Sequence, residues 1–229
     1  QKQSHKVEDG KMKDVIKQKA KAHIVYKTAD GKRVPGTTTI TGLLAKPFLI
    51  PWANKLGLEG IDSTKYRDEA AEVGTLAHKM IECYLSGESL DEKEYSATDW
   101  DLAINAVLKF YEWEKQHDMK VVASELPLVS EQNMYGGTID CICELDGKLI
   151  MLDFKTSKAI YDENFVQLAA YRELAKEHGY EIEECRVLRI GRDETEGFEE
   201  RVIKDTAKYY SIFRHLLGIY DLKKELKWS

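Results

Sequence analysis

The stretch from Gly136 to Thr156 constrains the fold of this chain more than any other. Asp146-Gly147 separates two runs of alternating apolar and polar residues, Gly137 to Leu145 and Lys148 to Thr156. Asp-Gly is a preferred two-residue hairpin turn, because both turn positions need positive φ. With the turn fixed there, Leu145 faces Lys148. The opposed pairs then run through Glu144/Leu149, Cys143/Ile150, Ile142/Met151 and Cys141/Leu152 to Asp140/Asp153, Ile139/Phe154 and Thr138/Lys155. Opposed residues share a face, and faces alternate along each strand. One face carries Ile139, Cys141, Cys143, Ile150, Leu152 and Phe154, is wholly apolar, and must be core. The other gathers Thr138, Asp140, Asp153 and Lys155 at one end of the hairpin.

Opposed residues in a hairpin have Cβ atoms about 4.5–5.5 Å apart, so two carboxylates there repel unless something positive lies between them. Hard carboxylate oxygens suit a divalent cation. Lys155 shares strand and face with Asp153, within reach of a phosphate or a water held at such an ion. A strand Asp ordinarily faces solvent, but Asp is poorly suited to strands, and two in register beside a Lys favour a functional pair.

The flanking elements follow from periodicity. Residues 23–28 predict a strand turned by Asp30-Gly31, and residues 11–22 suit a short basic helix. Thr37 to Thr41 lead into a helix over Gly42 to Leu56. Val73, Ala77, Met80 and Tyr84 recur at helical spacing and predict a helix over 66–86. Thr98-Asp99 caps a helix to about Lys115, with Leu102, Ala106, Phe110 and Trp113 on one stripe. Val121 to Val129 is a strand ahead of the hairpin. A helix from about Asn164 to His178, strands over Cys185 to Ile190 and Gly197 to Ile203, and a helix over Thr206 to Leu226 complete the order. This order predicts one α/β domain over residues 1–229, a mixed central β-sheet flanked by helices with an N-terminal helical region.

Composition removes whole classes. Of 229 residues, 43% are apolar and 32% charged, which excludes a disordered chain and a collagen-like repeat. No run of about 18 apolar residues exists, so no membrane span is expected. The first 22 residues lack an apolar core and are read as something other than a secretory signal. Four cysteines are too few for a disulfide scaffold, which points to a reducing, cytoplasmic setting. Charge is uneven: residues 1–33 carry a net +6, leaving −12 on the remainder. A basic arm over 1–22 can grip phosphates, although a solvated terminus explains it equally well.

Four motifs together resemble the PD-(D/E)XK nuclease superfamily, in particular its RecB-like exonuclease branch. They are Gly74-Thr75-Leu-Ala-His78, Gly-Thr-Ile-Asp140, Asp153-Phe154-Lys155-Thr and Gln167-Leu-Ala-Ala-Tyr171. Each is weak alone; their order and spacing across residues 74–171 is not. Val34-Pro35-Gly-Thr-Thr-Thr and the segment from Lys46 to Trp52 are similar to phage and prophage members. The resemblance implies a restriction-endonuclease-like core and Mg²⁺- or Mn²⁺-dependent hydrolysis of DNA. It implies His78, Asp140, Asp153 and the Phe154 main-chain carbonyl as metal ligands. Lys155 would position the attacking water and stabilise charge, and Gln167 and Tyr171, one helical turn apart, would line the phosphate path. It implies an exonuclease in phage or bacterial recombination or repair, with a single-strand annealing or recombination protein as candidate partner. The alternatives are a structure-specific endonuclease and a silent DNA-end or recombination-partner binding module.

Other residues carry blander readings. Glu125 could assist a metal or DNA, but a solvated strand Glu is preferred. Cys141-x-Cys143 lies on the core face, so buried thiols are expected rather than zinc ligands. Some relatives carry an iron–sulfur cluster on three clustered downstream cysteines; only Cys185 follows Lys155, so none is expected here. Trp100, Tyr111 and Trp113 could stack bases, but helix core is preferred at least for Trp113.

Overall fold

The computed structural model describes residues 24–228. The basic arm and its expected helix lie outside the described residues. Helices α1 (Thr37–Thr41), α2 (Leu49–Leu58), α3 (Ser63–Ser86) and α4 (Ala97–Glu114) come first. Strands β1 (Met119–Ser130), β2 (Tyr135–Leu145) and β3 (Lys148–Lys155) follow, then α5 (Asp162–Glu177), β4 (Glu184–Ile190), β5 (Phe198–Ile203) and α6 (Ala207–Glu225). The five strands lie in sequence order in one sheet. All neighbours are antiparallel except β3 and β4, which run parallel with α5 as their crossover. This is the mixed, helix-flanked α/β sheet that the element order predicts.

Two apolar clusters hold the helices to the sheet. Phe110, Trp113, Val73, Leu76, Ala77 and Ile81 of α3 and α4 pack on Cys141, Cys143, Ile150, Leu152 and Phe154. On the opposite face, α5 and α6 pack through Leu168, Leu174, Phe213 and Leu217 on Ile142, Met151 and Val187. All four cysteines are free and buried. Trp113 is core, as expected.

Helix ends follow capping chemistry. The Asp62 side chain accepts from Thr64 N and Lys65 N, so α3 starts a few residues before the expected 66, and it ends at the left-handed Gly87. α4 is capped by Ser96, whose hydroxyl accepts from Asp99 N at 3.1 Å, rather than by Thr98-Asp99.

Two N-terminal expectations are corrected. Residues 24–28 form no strand; the Asp30-Gly31 turn closes only a bridge between Lys27 and Arg33. The helix expected over Gly42 to Leu56 is two helices, and Thr37 to Thr41 is itself α1. Lys46 precedes Pro47, and a residue before proline disfavours helical backbone. Pro51, in contrast, lies in the first turn of α2, where its missing N–H costs nothing.

The hairpin register is observed from Leu145↔Lys148 to Cys141↔Leu152. There the ladder stops. The expected pairs Asp140/Asp153, Ile139/Phe154 and Thr138/Lys155 are not formed, because the Asp140 side chain takes over: its Oδ2 accepts from Phe154 N at 2.9 Å. Ile139 is fully buried, but with Ile142 and Met151 rather than beside Cys141 as the strict alternation predicts. The alternation fails where the strands part.

Candidate active site

The site is built where β2 and β3 separate. Lys155 Nζ lies 2.6 Å from Asp153 Oδ2. The Asp153 carboxylate is almost wholly buried, at 1% exposure. Apart from that ammonium, which approaches off the line of a well-aligned hydrogen bond, neither of its oxygens has a donor. Burial pushes the Asp153 pKa up to about 6, with the Asp140 carboxylate adding to the rise and Lys155 opposing it. Burial works against the Lys155 ammonium, but Asp153 and Asp140 outweigh it and hold its pKa above the ordinary value. Lys155 is therefore a charged donor.

His78, Glu125 and Asp140 form a second group beside this pair. One ligand atom from each lies within 4.8 Å of the others. His78 Nδ1 is 3.7 Å from Asp140 Oδ2. Octahedral ligands at about 2.1 Å from an ion stand about 3 Å apart when adjacent and about 4 Å when opposite, so the trio would draw in by up to about 1 Å to hold one. Glu125, expected to be a solvated strand residue, is half-buried in this trio, on β1 between the paired Ser124 and Leu126. The signal that marks it is backbone strain. Glu125 has φ +46, unusual for a non-glycine strand residue, and such strain concentrates at functional sites. Asp153 stands outside the trio, on Lys155.

Glycines set the approach of the supporting elements. A Cβ on Gly74 would come within 2.5 Å of Thr156 Oγ1. Helix α3 can thus press against the end of β3, and one turn later it delivers His78. Gly137 leaves room for the Tyr171 ring, and Gly136 for Tyr26. On α5, Gln167 Nε2 donates to Tyr171 Oη at 2.9 Å, closing the expected one-turn pair. Burial, reinforced by Asp153 and Asp140, raises the Tyr171 pKa far above the usual value. Tyr171 therefore keeps its proton and faces both carboxylates electrostatically.

A family model of the PD-(D/E)XK nuclease superfamily matches residues 52–217, most of the chain and all of this site. The chain belongs to that superfamily. Among solved structures, the chain resembles a candidate exonuclease from Eubacterium rectale, with 12% identity and a TM-score of 0.45 over 64% of each chain. It thus spans under two thirds of that neighbour. It also resembles SSO0001, with 16% identity and a TM-score of 0.33 over 64% of this chain and 74% of the other. No curated protein matches it.

The Gly74 contact gives a test. In Gly74→Ala, helix propensity gains about 1 kcal/mol, while overpacking against Thr156 costs about 1–3 kcal/mol. Net stability should therefore shift by no more than about 2 kcal/mol. A displacement of His78 by about 1 Å costs up to about 100-fold in rate. Removing the opposing hydroxyl in Gly74→Ala/Thr156→Ala should restore most of that loss. A single variant that cleaves DNA at the wild-type rate would remove this contact from the site's geometry.

Proposed function

We propose that this chain is a Mg²⁺- or Mn²⁺-dependent deoxyribonuclease that degrades DNA from an end. It is an exonuclease of the RecB-like branch, acting in the cytoplasm in phage or bacterial recombination or repair, as a single nuclease domain. The observation that carries this reading is the buried Asp153–Lys155 pair beside the His78–Glu125–Asp140 trio.

The residues fit a divalent ion. Carboxylate oxygens with one imidazole suit Mn²⁺ or Mg²⁺, and the donor-poor, buried Asp153 oxygens are what a cation would satisfy. His78, Asp140, Asp153 and the Phe154 carbonyl would hold it, with Glu125 joining from β1. When bound, the ion would polarise the phosphoryl group and lower the pKa of the attacking water. The remaining work falls to the chain. Lys155, held as an ammonium, orients the incoming water and donates to the phosphate oxygens as they gain charge. Gln167 and the protonated Tyr171 offer donors along the phosphate path. His78, carried on a helix packed by Gly74, stands beside Asp140 at 3.7 Å.

Linear and closed circular DNA, each incubated with Mn²⁺ or with a chelator, test the reading. Metal-dependent loss of the linear form with the circle intact is expected. Cutting of both makes the protein an endonuclease, and DNA binding without cutting makes it a binding module.

A further inference from the structure

Beside the site is an open cleft of about 930 Å³ between α3, α4 and the turn joining β4 to β5. It touches the proposed chemistry at three points. Val73 lines it, next to the Gly74 that packs on Thr156. Lys158 lines it, three residues after Lys155. Arg189 lines it, paired with Lys155 in the β3–β4 register.

The walls are charged, but most of that charge is committed. Arg192 and Glu196 pair at 2.5 Å, and Glu196 also accepts from Arg192 N at 2.8 Å. Asp193 accepts from Thr195 N and Glu196 N within its own turn. Arg189 pairs with Glu199 at 3.3 Å. Lys109 ties the turn to α4 by donating to the Gly191 and Asp193 carbonyls. The charge left without a cation among the described residues is acidic. It comes from Glu72 on α3, from Asp99 on α4, which accepts from the Ser96 hydroxyl at 2.6 Å, and from Asp193 in the turn. That rim repels a phosphate but can accept from the amino edge of a base. Tyr66, half-buried, lines the cleft too. Trp52 of α2 meets its ring edge-on at 6.1 Å between centroids, and Lys158 Nζ lies 5.5 Å from its centre. A ring so braced, with the Lys158 ammonium over one face, suits a base on its other face and a phosphate on Lys158.

We infer that this cleft is a nucleobase site: it takes an unpaired base adjoining the scissile phosphate, stacked on Tyr66, with the intervening phosphate held at Lys158. The inference rests on the nuclease reading and deepens it, because it makes a frayed or single-stranded end the preferred substrate. A paired base cannot leave its partner to enter the cleft without unstacking.

Binding in a chelator reads this without turnover. Fluorescence anisotropy compares a labelled blunt duplex with the same duplex bearing a four-nucleotide single-stranded tail, for the wild type, Tyr66→Ala and Tyr66→Phe. Stacking of one base is worth about 1–3 kcal/mol, so Tyr66→Ala should bind the tailed duplex about 5- to 150-fold more weakly. Its affinity for the blunt duplex should stay unchanged, and Tyr66→Phe should keep the wild-type preference for the tail. Equal loss on both duplexes, or wild-type binding of the tail by Tyr66→Ala, overturns the nucleobase site while leaving the nuclease reading intact if the wild type cuts the same DNA with Mn²⁺. A wild type that neither binds nor cuts either duplex overturns both.

Discussion

Lys155→Ala will still bind metal and DNA but will cleave about 10²- to 10³-fold more slowly, the usual cost of losing one donor aimed at developing charge. The ammonium is held in place by Asp153 at 2.6 Å, and its charge is secured by two carboxylates. Removing it takes away a positive charge that competes with the cation, so metal affinity should hold or rise. It also leaves a buried carboxylate unpaired, which costs about 3–5 kcal/mol without metal. The variant should therefore melt early in a chelator and recover with Mn²⁺. Single-turnover cleavage at saturating DNA is the measurement, and a near-normal rate from a folded preparation would take Lys155 out of the mechanism.

The opposite sign is expected from Asp153→Asn. In the fold its pKa stands at about 6, against about 3.9 in an unfolded chain. The folded state thus binds the proton more tightly, and metal-free stability falls as pH rises through the window from about 4 to 6. Above it the loss is complete, on the order of 3 kcal/mol, since each tenfold gain in proton affinity is worth about 1.36 kcal/mol. Asn resembles the protonated acid. The variant should match the wild type near pH 4 and melt higher at pH 7 in a chelator, yet cleave nothing. The wild type should gain about 2.7 kcal/mol at a hundredfold excess of Mn²⁺ over Kd. Asp140→Asn should lose both the gain and the cleavage while keeping an acceptor for Phe154 N. Wild-type melts that stay flat across millimolar Mn²⁺, or a full shift in both Asn variants, would dismiss the metal site.

Much of this architecture is legible in the sequence because local rules dominate it. Asp146-Gly147 fixes the turn, and the turn fixes the pairs from Leu145↔Lys148 to Cys141↔Leu152. Every strand from β1 to β5 is found within about two residues of its expected place. What periodicity does not supply is where a regular pattern stops. A side chain, not the main chain, ends the ladder at Asp140, and no alternation rule anticipates that. Glu125 escapes periodicity for the same reason, since its position depends on a left-handed backbone within a strand. Helix α2 departs from its expected span because Pro47 disfavours helical backbone at Lys46, so α2 starts only at Leu49. The sequence also brings Asp140 and Asp153 together through one hairpin, but only the folded helix α3 shows how near His78 comes.

Asp140 Oδ2 has a second consequence. It is the acceptor for the amide that lies between Asp153 and Lys155 in the chain, and its carboxylate belongs to the trio on which a cation would draw. The same carboxylate therefore anchors the strand and offers a ligand. Any pull that shortens its distance to an ion is felt by the Phe154 peptide, and through it by the spacing of the carboxylate and the ammonium on either side. Were a cation to bind there, filling the site and adjusting the reach of Lys155 would be one mechanical event, geared through a single hydrogen bond.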